Sequence, residues 1–382
     1  MNMRIGMVGD VFIEREDPDE TLRRVAPLFA DLDVVLANSE GVYAHQTSRP
    51  PSAAHQVLTE PRCAVGIKNA GIHAVSVANN HTVDGGHEGL LETLEVLRGL
   101  GLPTAGGGRD IAEAREPAVV HHDAGTVALL AYSSVFPVGF EARAGVPGVA
   151  PLRVDTFYAL PDTHFWTPGV PPRMRTMPWE ADMEALAADV ARARESADTV
   201  VVSVHWGDSF VPLQIQDYLR DLGRGAVDAG ADIVFGHHHH SLRGMEVYRG
   251  RPIFYGLGNF AFDLWHVEDR WPAATFEMFR KKHGEFAFGP RPGFPSFPFH
   301  EDYRKTAIAV VELAGGRLVR SGFVPCMIRP DGPEPLGLDH PERAEVFDYL
   351  VRATAIASPT VRLEPSGGGN VGGIELIAAV PE

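Results

Sequence analysis

The sequence predicts an α/β fold with covered sheets, and three observations carry that prediction. Short apolar runs alternate with stretches of helical periodicity through the first 135 residues, the pattern left by strands joined through helices. Five of the apolar runs end in polar residues, at the strand ends where α/β sheets present ligand sites. The chain has 382 residues, 45% of them hydrophobic and 22% charged, so it can bury a large core without disulfide or metal staples.

The elements follow in order. Arg4–Gly9 reads as a strand, Asp19–Asp31 as a helix and Asp33–Asn38 as a second strand. Glu60–Ala70 is helical, His73–Ala78 a strand, and His87–Leu100 a helix with apolar positions three and four residues apart. Val119–His122 and Thr126–Ser134 are strands around an Ala-Gly turn. Residues 136–178 break the pattern with Pro, Gly and aromatic residues, as a binding loop or lid does. Glu180–Ala197 is an Ala-rich helix, Thr199–Val204 a strand, Leu213–Ala229 a helix and Asp232–Phe235 a strand. Ser241–Tyr248 and Arg251–Tyr255 form a hairpin about Arg-Gly. A second irregular, aromatic stretch, 264–303, reads as a substrate lid or a packed structural insertion. Lys305–Leu313 and Arg317–Pro325 close the fold as an antiparallel pair. The expectation is one large domain over 1–330 with insertions at 136–178 and 264–303. Residues 331–382 then supply a helix, Pro341–Ile356, and a mobile Gly-rich tail.

Composition excludes several function classes. The 34 basic residues face 50 acidic ones, a net charge of −16, and lysine occurs only at 68, 281, 282 and 305, so no basic stripe for nucleic acid is expected. Cys63 and Cys326 cannot make a disulfide framework. No apolar run reaches the roughly 18 residues of a membrane span, and the first residues lack a signal-peptide core. The expectation is therefore a cytoplasmic protein without a membrane partner. Seventeen histidines, four of them consecutive at 237–240, ask for an explanation.

The chemistry collects at the strand ends. Asp10, then Asn38-Ser39-Glu40, Asn79-Asn80-His81, His205-Trp206-Gly207 and the His237–His240 run each follow a predicted strand. Together they supply carboxylate, amide oxygen and imidazole, the ligand set of a divalent-metal centre. Singly each has a plainer reading, such as a turn cap for Asp10 or a helix cap for Asn80. No GxSxG elbow or P-loop occurs, and no GxGxxG follows a strand. His121, His122, His164 and His266 carry no spacing signal.

These segments resemble the CapA-type capsule-synthesis, or poly-γ-glutamate biosynthesis, proteins of the metallophosphatase-like (calcineurin-like phosphoesterase) superfamily. The resemblance rests on GDVFIER at 9–15, ANSEG at 37–41, SVANNHTVDGG at 76–86, VSVHWGDSF at 202–210 and the block 228–263. It implies a four-layer α/β/β/α sandwich. It implies Asp10, Glu40, Asn80, His205, His237 and His239 as ligands of one or two divalent ions (Mn, Fe, Zn or Co), and His81 as the acid that protonates a leaving group. Asp84 either orients His81 or caps the following helix. Arg15, Trp206, His240 and Asn259 are the candidate substrate contacts, with Asn259 and Asp263 shaping a turn near the site.

Departures from the family pattern matter. Phe12 stands where phosphoesterases carry a histidine, and Ser209 replaces a carboxylate in HWGDS. The superfamily's GHxH spacing pairs His237 with His239, whereas the CapA spacing GHHPH pairs it with His240; the first is taken, and the remaining pair is expected at the surface or behind the ligands. The expected function is a metal-dependent hydrolase attacking a phosphoester or an amide of an anionic small molecule or peptide. An enzyme cutting or forming an amide in a γ-glutamyl pathway and a non-catalytic accessory protein are the alternatives. The oligomeric state is left open.

Overall fold

A computed structural model describes residues 2–53, 55–160 and 169–381. Its strands form two main sheets, and five of those strands deliver the site: β1 (Asn2–Phe12), β2 (Val34–Ser39), β3 (Ala74–Ser76), β4 (Thr199–His205) and β5 (Ile233–His237). β1, β2 and β3 run parallel and adjacent in a ten-stranded sheet. That sheet continues past β1 through Lys305–Ala314 and Arg317–Arg329, while Asn259–Phe262 lies parallel to the end of β1. β4 and β5 are parallel neighbours in a six-stranded sheet.

Side-chain alternation along these strands decides the layering. Met3, Ile5 and Met7 of β1, Val34 and Leu36 of β2, Val201 of β4, and Ile233 and Phe235 of β5 share one core between the two sheets. The alternate residues face outward. Val35, Ala37 and Val75 pack against Leu90, Leu94 and Leu97 of helix α1 (Gly86–Gly99). Val200, Val202 and Val204 pack against Leu186 and Val190 of α2 (Glu180–Arg194) and Leu219 and Leu222 of α3 (Asp217–Asp228). The result is helix, sheet, sheet, helix: the four-layer α/β/β/α metallophosphatase-like sandwich.

The same alternation aims the site. His205 shares its face with Val201 and Ser203, and His237 shares its face with Ile233 and Phe235, so both rings turn inward at the strand ends. Asp10 would point outward by parity with Met7. A register shift corrects this: Met7 pairs with Leu36 and Asp10 with Asn38, three residues of β1 advancing against two of β2. The bulge re-aims the carboxylate.

Several boundaries differ from expectation. Of the helix expected over 19–31, only Ala26–Phe29 is α-helical, and 60–70 divides into a 3₁₀ turn, Pro61–Ala64, and a short helix, Val65–Asn69. Within the first insertion, Val154–Ala159 pairs antiparallel with Arg173–Pro178, while residues 161–168, including His164, lie outside the described residues. The second insertion contains the helices Val267–Arg270 and Ala273–His283. The tail expected to be mobile is instead a hairpin of Val361–Val371 and Ile374–Pro381 that pairs with Arg317–Arg329. Gly372 and Gly373 make its turn and Gly367–Gly369 fall at a register shift within the first arm, which local composition hides. Helix α4 (Arg343–Ala357) seals the core between the sheets with Val346, Tyr349 and Leu350.

Candidate metal centre

Asp10 and Glu40 are fully buried at the ends of β1 and β2. Three groups of potential ligand atoms, each within 4.8 Å of one another, surround them: Asp10–His205–His237, Glu40–His205–His238 and Asp10–Glu40–His240. Asn80 Oδ1 joins the cluster 2.5 Å from His205 Nε2. His205 Nδ1 lies 2.6 Å from His237 Nδ1, and Ser203 Oγ lies 2.7 Å from the opposite nitrogen of His237. Amide groups frame the carboxylates: Asn38 donates to Asp10 Oδ1 at 2.9 Å, and Asn79 donates to Asn38 Oδ1 at 3.2 Å and to the Ser39 carbonyl at 2.9 Å.

The unpaired atoms test whether this set fits a cation. Asp10 Oδ2 and both carboxylate oxygens of Glu40 are buried without a hydrogen-bond donor. Buried anionic oxygens without donors are costly unless a cation meets them. Burial pushes the Asp10 carboxyl up to about 7 against the Asn38 hydrogen bond, and burial together with the Asp10 charge holds Glu40 well above the usual carboxylate range. Burial moves the imidazoles the other way, His237 to about 3 and His240 to about 4, with His205 and His238 also well below normal. Neutral imidazoles beside unpartnered carboxylates are a donor set that fits a divalent ion.

The histidine run departs most from expectation. None of its four residues is at the surface: relative exposures are 0%, 7%, 0% and 6% for His237 to His240. His238 and His240 have φ of 92° and 56°, left-handed values rare for non-glycine residues. These values break the strand's alternation, bringing His238 and His240 into the cluster with His237. His239 belongs to none of the three groups, and both of its ring nitrogens lack partners. It packs against Gly207, where an added Cβ would sit 2.1 Å from His239 Nε2. Sequence spacing therefore missed His238; only the unusual length of the run hinted at it.

The remaining expected site residues divide. His81 Nε2 lies 4.0 Å from Glu40 Oε1, and its Nδ1 is held by Asp84. Asp84 thus contacts His81 rather than capping α1, which has no side-chain cap. Asn259 Oδ1 lies 2.9 Å from His240 Nδ1, so it holds a cluster histidine instead of lining open space. Arg15 is committed elsewhere: its Nε and Nη2 donate to Asp263 at 2.9 and 2.8 Å. Trp206 is wholly buried in the outer core and donates to the Tyr255 carbonyl at 2.8 Å. Phe12 packs on Tyr43 and Phe262 at ring distances of 5.7 and 5.9 Å and offers no ligand.

The four-layer sandwich gathers carboxylates and imidazoles at its inner strand ends, the arrangement that the sequence resemblance implied. The chain belongs to the family of the bacterial capsule synthesis protein PGA_cap, whose profile matches residues 4–264. It is 30% identical over 295 residues to the PGA biosynthesis protein CapA of Bacillus subtilis (strain 168), covering 75% of this chain and 70% of that one. It is 27% identical over 274 residues to the capsule biosynthesis protein CapA of Bacillus anthracis, covering 67% and 59%. A probable polyglutamine synthesis accessory protein of Mycobacterium tuberculosis is 32% identical over 195 residues, 50% of this chain and 45% of that one. The match thus spans less than two thirds of the latter two. Among solved structures, similarity extends to a hypothetical protein from Thermus thermophilus, with 18% identity, a TM-score of 0.46 and coverage of 87% and 100%. It also extends to the calcineurin-like phosphoesterase YfkN from Bacillus subtilis, with 12% identity, a TM-score of 0.40 and coverage of 83% and 87%. No helix among the described residues is long and apolar enough to cross a membrane.

Proposed function

We propose that this protein is a metal-dependent hydrolase acting on an anionic small molecule or peptide, with a phosphoester as the bond it cleaves. The observation that carries the reading is the buried Asp10–Glu40 pair, with three oxygens lacking donors amid neutral histidines. Asp10, Glu40, Asn80, His205, His237, His238 and His240 would hold one or two divalent ions, of Mn, Fe, Zn or Co. When bound, such ions supply Lewis-acid polarisation and lower the pKa of water toward neutrality. His81 gives the proton to the leaving group from Nε2, the nitrogen turned toward Glu40. Asp84 is a positioning residue that keeps the other nitrogen occupied.

The test is elemental analysis of the purified protein followed by hydrolysis of an activated phosphodiester. Stoichiometric metal and turnover that collapses in both Asp10→Ala and His81→Ala are expected. Wild-type turnover in both variants would sink the proposal. Two of the relatives, a PGA biosynthesis protein and a probable polyglutamine synthesis accessory protein, support a second reading, in which the same centre serves amide chemistry in a γ-glutamyl pathway. A γ-glutamyl amide panel run beside the phosphodiester separates the two. Polymer binding that persists in metal-stripped protein, with no turnover of either substrate, would favour the accessory role.

A further inference from the structure

The second insertion returns its aromatic rings over the histidine cluster. Trp271, Phe279, Phe288 and Phe299 from that segment meet Phe210, from the loop after β4, and Phe262, from the strand beside β1. They line an open-mouthed cavity of about 190 Å³ whose floor includes Asn80, His81, His238 and His240. The wall begins on the cluster itself: the rings of Phe299, Phe210 and Phe262 lie 4.7, 5.7 and 5.7 Å from that of His240. Phe210 adopts φ 64°, a left-handed conformation unfavourable for a bulky residue, and still presents its ring there.

Charge and size limit what this space can take. No lysine or arginine lines the cavity among the described residues. His55 and Ser209 add two polar groups to the lining, but a carboxylate placed among the rings would lose its hydration with no lysine or arginine to meet its charge. Apolar cavities of roughly 150 Å³ accept a benzene-sized guest, whereas sites for larger ligands start at roughly 300 Å³. The volume therefore suits the reacting group on the histidine floor and one ring-sized substituent above it.

We infer that the substrate carries a compact apolar group, aromatic or branched aliphatic, directly beside the bond that reacts, seated among Phe210, Phe279, Phe288 and Phe299. The inference rests on reading the cavity floor as the metal centre, and it holds for phosphoryl and acyl chemistry alike. Phe279 is half-buried on a surface helix, so truncating it removes wall area with little effect on the core.

Calorimetric titration of the full-length, Mn-loaded protein with benzohydroxamate and acetohydroxamate tests it, because the two probes share a chelating group and differ only in the apolar one. Benzohydroxamate should bind on the order of tenfold tighter or more. Phe279→Ala and Phe299→Ala should each erode the preference, and Phe279→Leu should restore most of it. Equal affinities in the wild type, or an undiminished preference in both alanine variants, would overturn the inference. So would failure of both probes to bind protein that holds metal by elemental analysis. Hydrolysis is read separately: a retained preference without turnover counts against the hydrolase reading only, and turnover without preference counts against the apolar pocket only.

Discussion

His81 Nδ1 lies 2.6 Å from Asp84 Oδ2, and the same oxygen accepts the Val57 backbone N–H at 2.7 Å. The carboxylate is buried and anchored by the main chain, so it fixes both the ring orientation and the protonated nitrogen of His81. Nε2 is left facing Glu40, where the proposed reading has it exchange a proton.

Asp84→Asn should therefore lower kcat about 10- to 100-fold with KM nearly unchanged. His81→Ala should cost on the order of 10²- to 10⁴-fold. Steady-state kinetics on an activated phosphodiester checks both. An Asp84→Asn loss confined to KM would place Asp84 in binding instead of positioning.

The two middle histidines of the run should behave oppositely. His238→Ala removes a member of the Glu40–His205–His238 group and should lower metal affinity roughly 10- to 100-fold. His239→Ala should leave metal content at the wild-type level, because its ring faces Gly207. Metal analysis after dialysis against a weak chelator decides; the reverse pattern would restore the pairing expected from GHxH spacing.

Metal affinity should fall on acidification below about pH 7. The histidines are already neutral there, since burial holds His237 near 3 and His240 near 4. Burial raises Asp10 to about 7 and, with the Asp10 charge, lifts Glu40 as well, so on acidification the metal-free pair carries protons that a cation must displace. The slope should approach a tenfold loss per pH unit for each proton released. Competition titrations with a metal indicator at several pH values measure it, and affinity independent of pH from about 6 to 8 would refute the assignment.

Trp206→Phe should cost stability and spare catalysis. It deletes the donor to the Tyr255 carbonyl inside a packed core, worth about 1–3 kcal/mol when a buried acceptor is left alone. Denaturant unfolding should show the loss while KM stays constant. A raised KM at unchanged stability would return Trp206 to the substrate site.

Much of the candidate centre was legible because strand ends leave a local signature. Asp10, Glu40, Asn80, His205 and His237 each follow an apolar run, and parallel sheets gather such ends on one edge. The partners of Arg15 and Trp206 were not legible, because they are remote in sequence. Asp263 is 248 residues from Arg15 and Tyr255 is 49 from Trp206, and no local pattern records such pairings.

The sequence by itself determined the α/β class, the family motifs and the strand ends at which ligands collect, because periodicity and residue type are local properties. Only the tertiary structure decided which side chains meet. A bulge between Met7 and Asp10 turns the carboxylate inward. Left-handed backbone at His238 and His240 sets three of four consecutive rings in the cluster and turns His239 away. The aromatic stretch 264–303, ambiguous as a string, gains a meaning once it is folded over His240. Side-chain direction follows from backbone torsions and register, and these are set by packing across the whole fold.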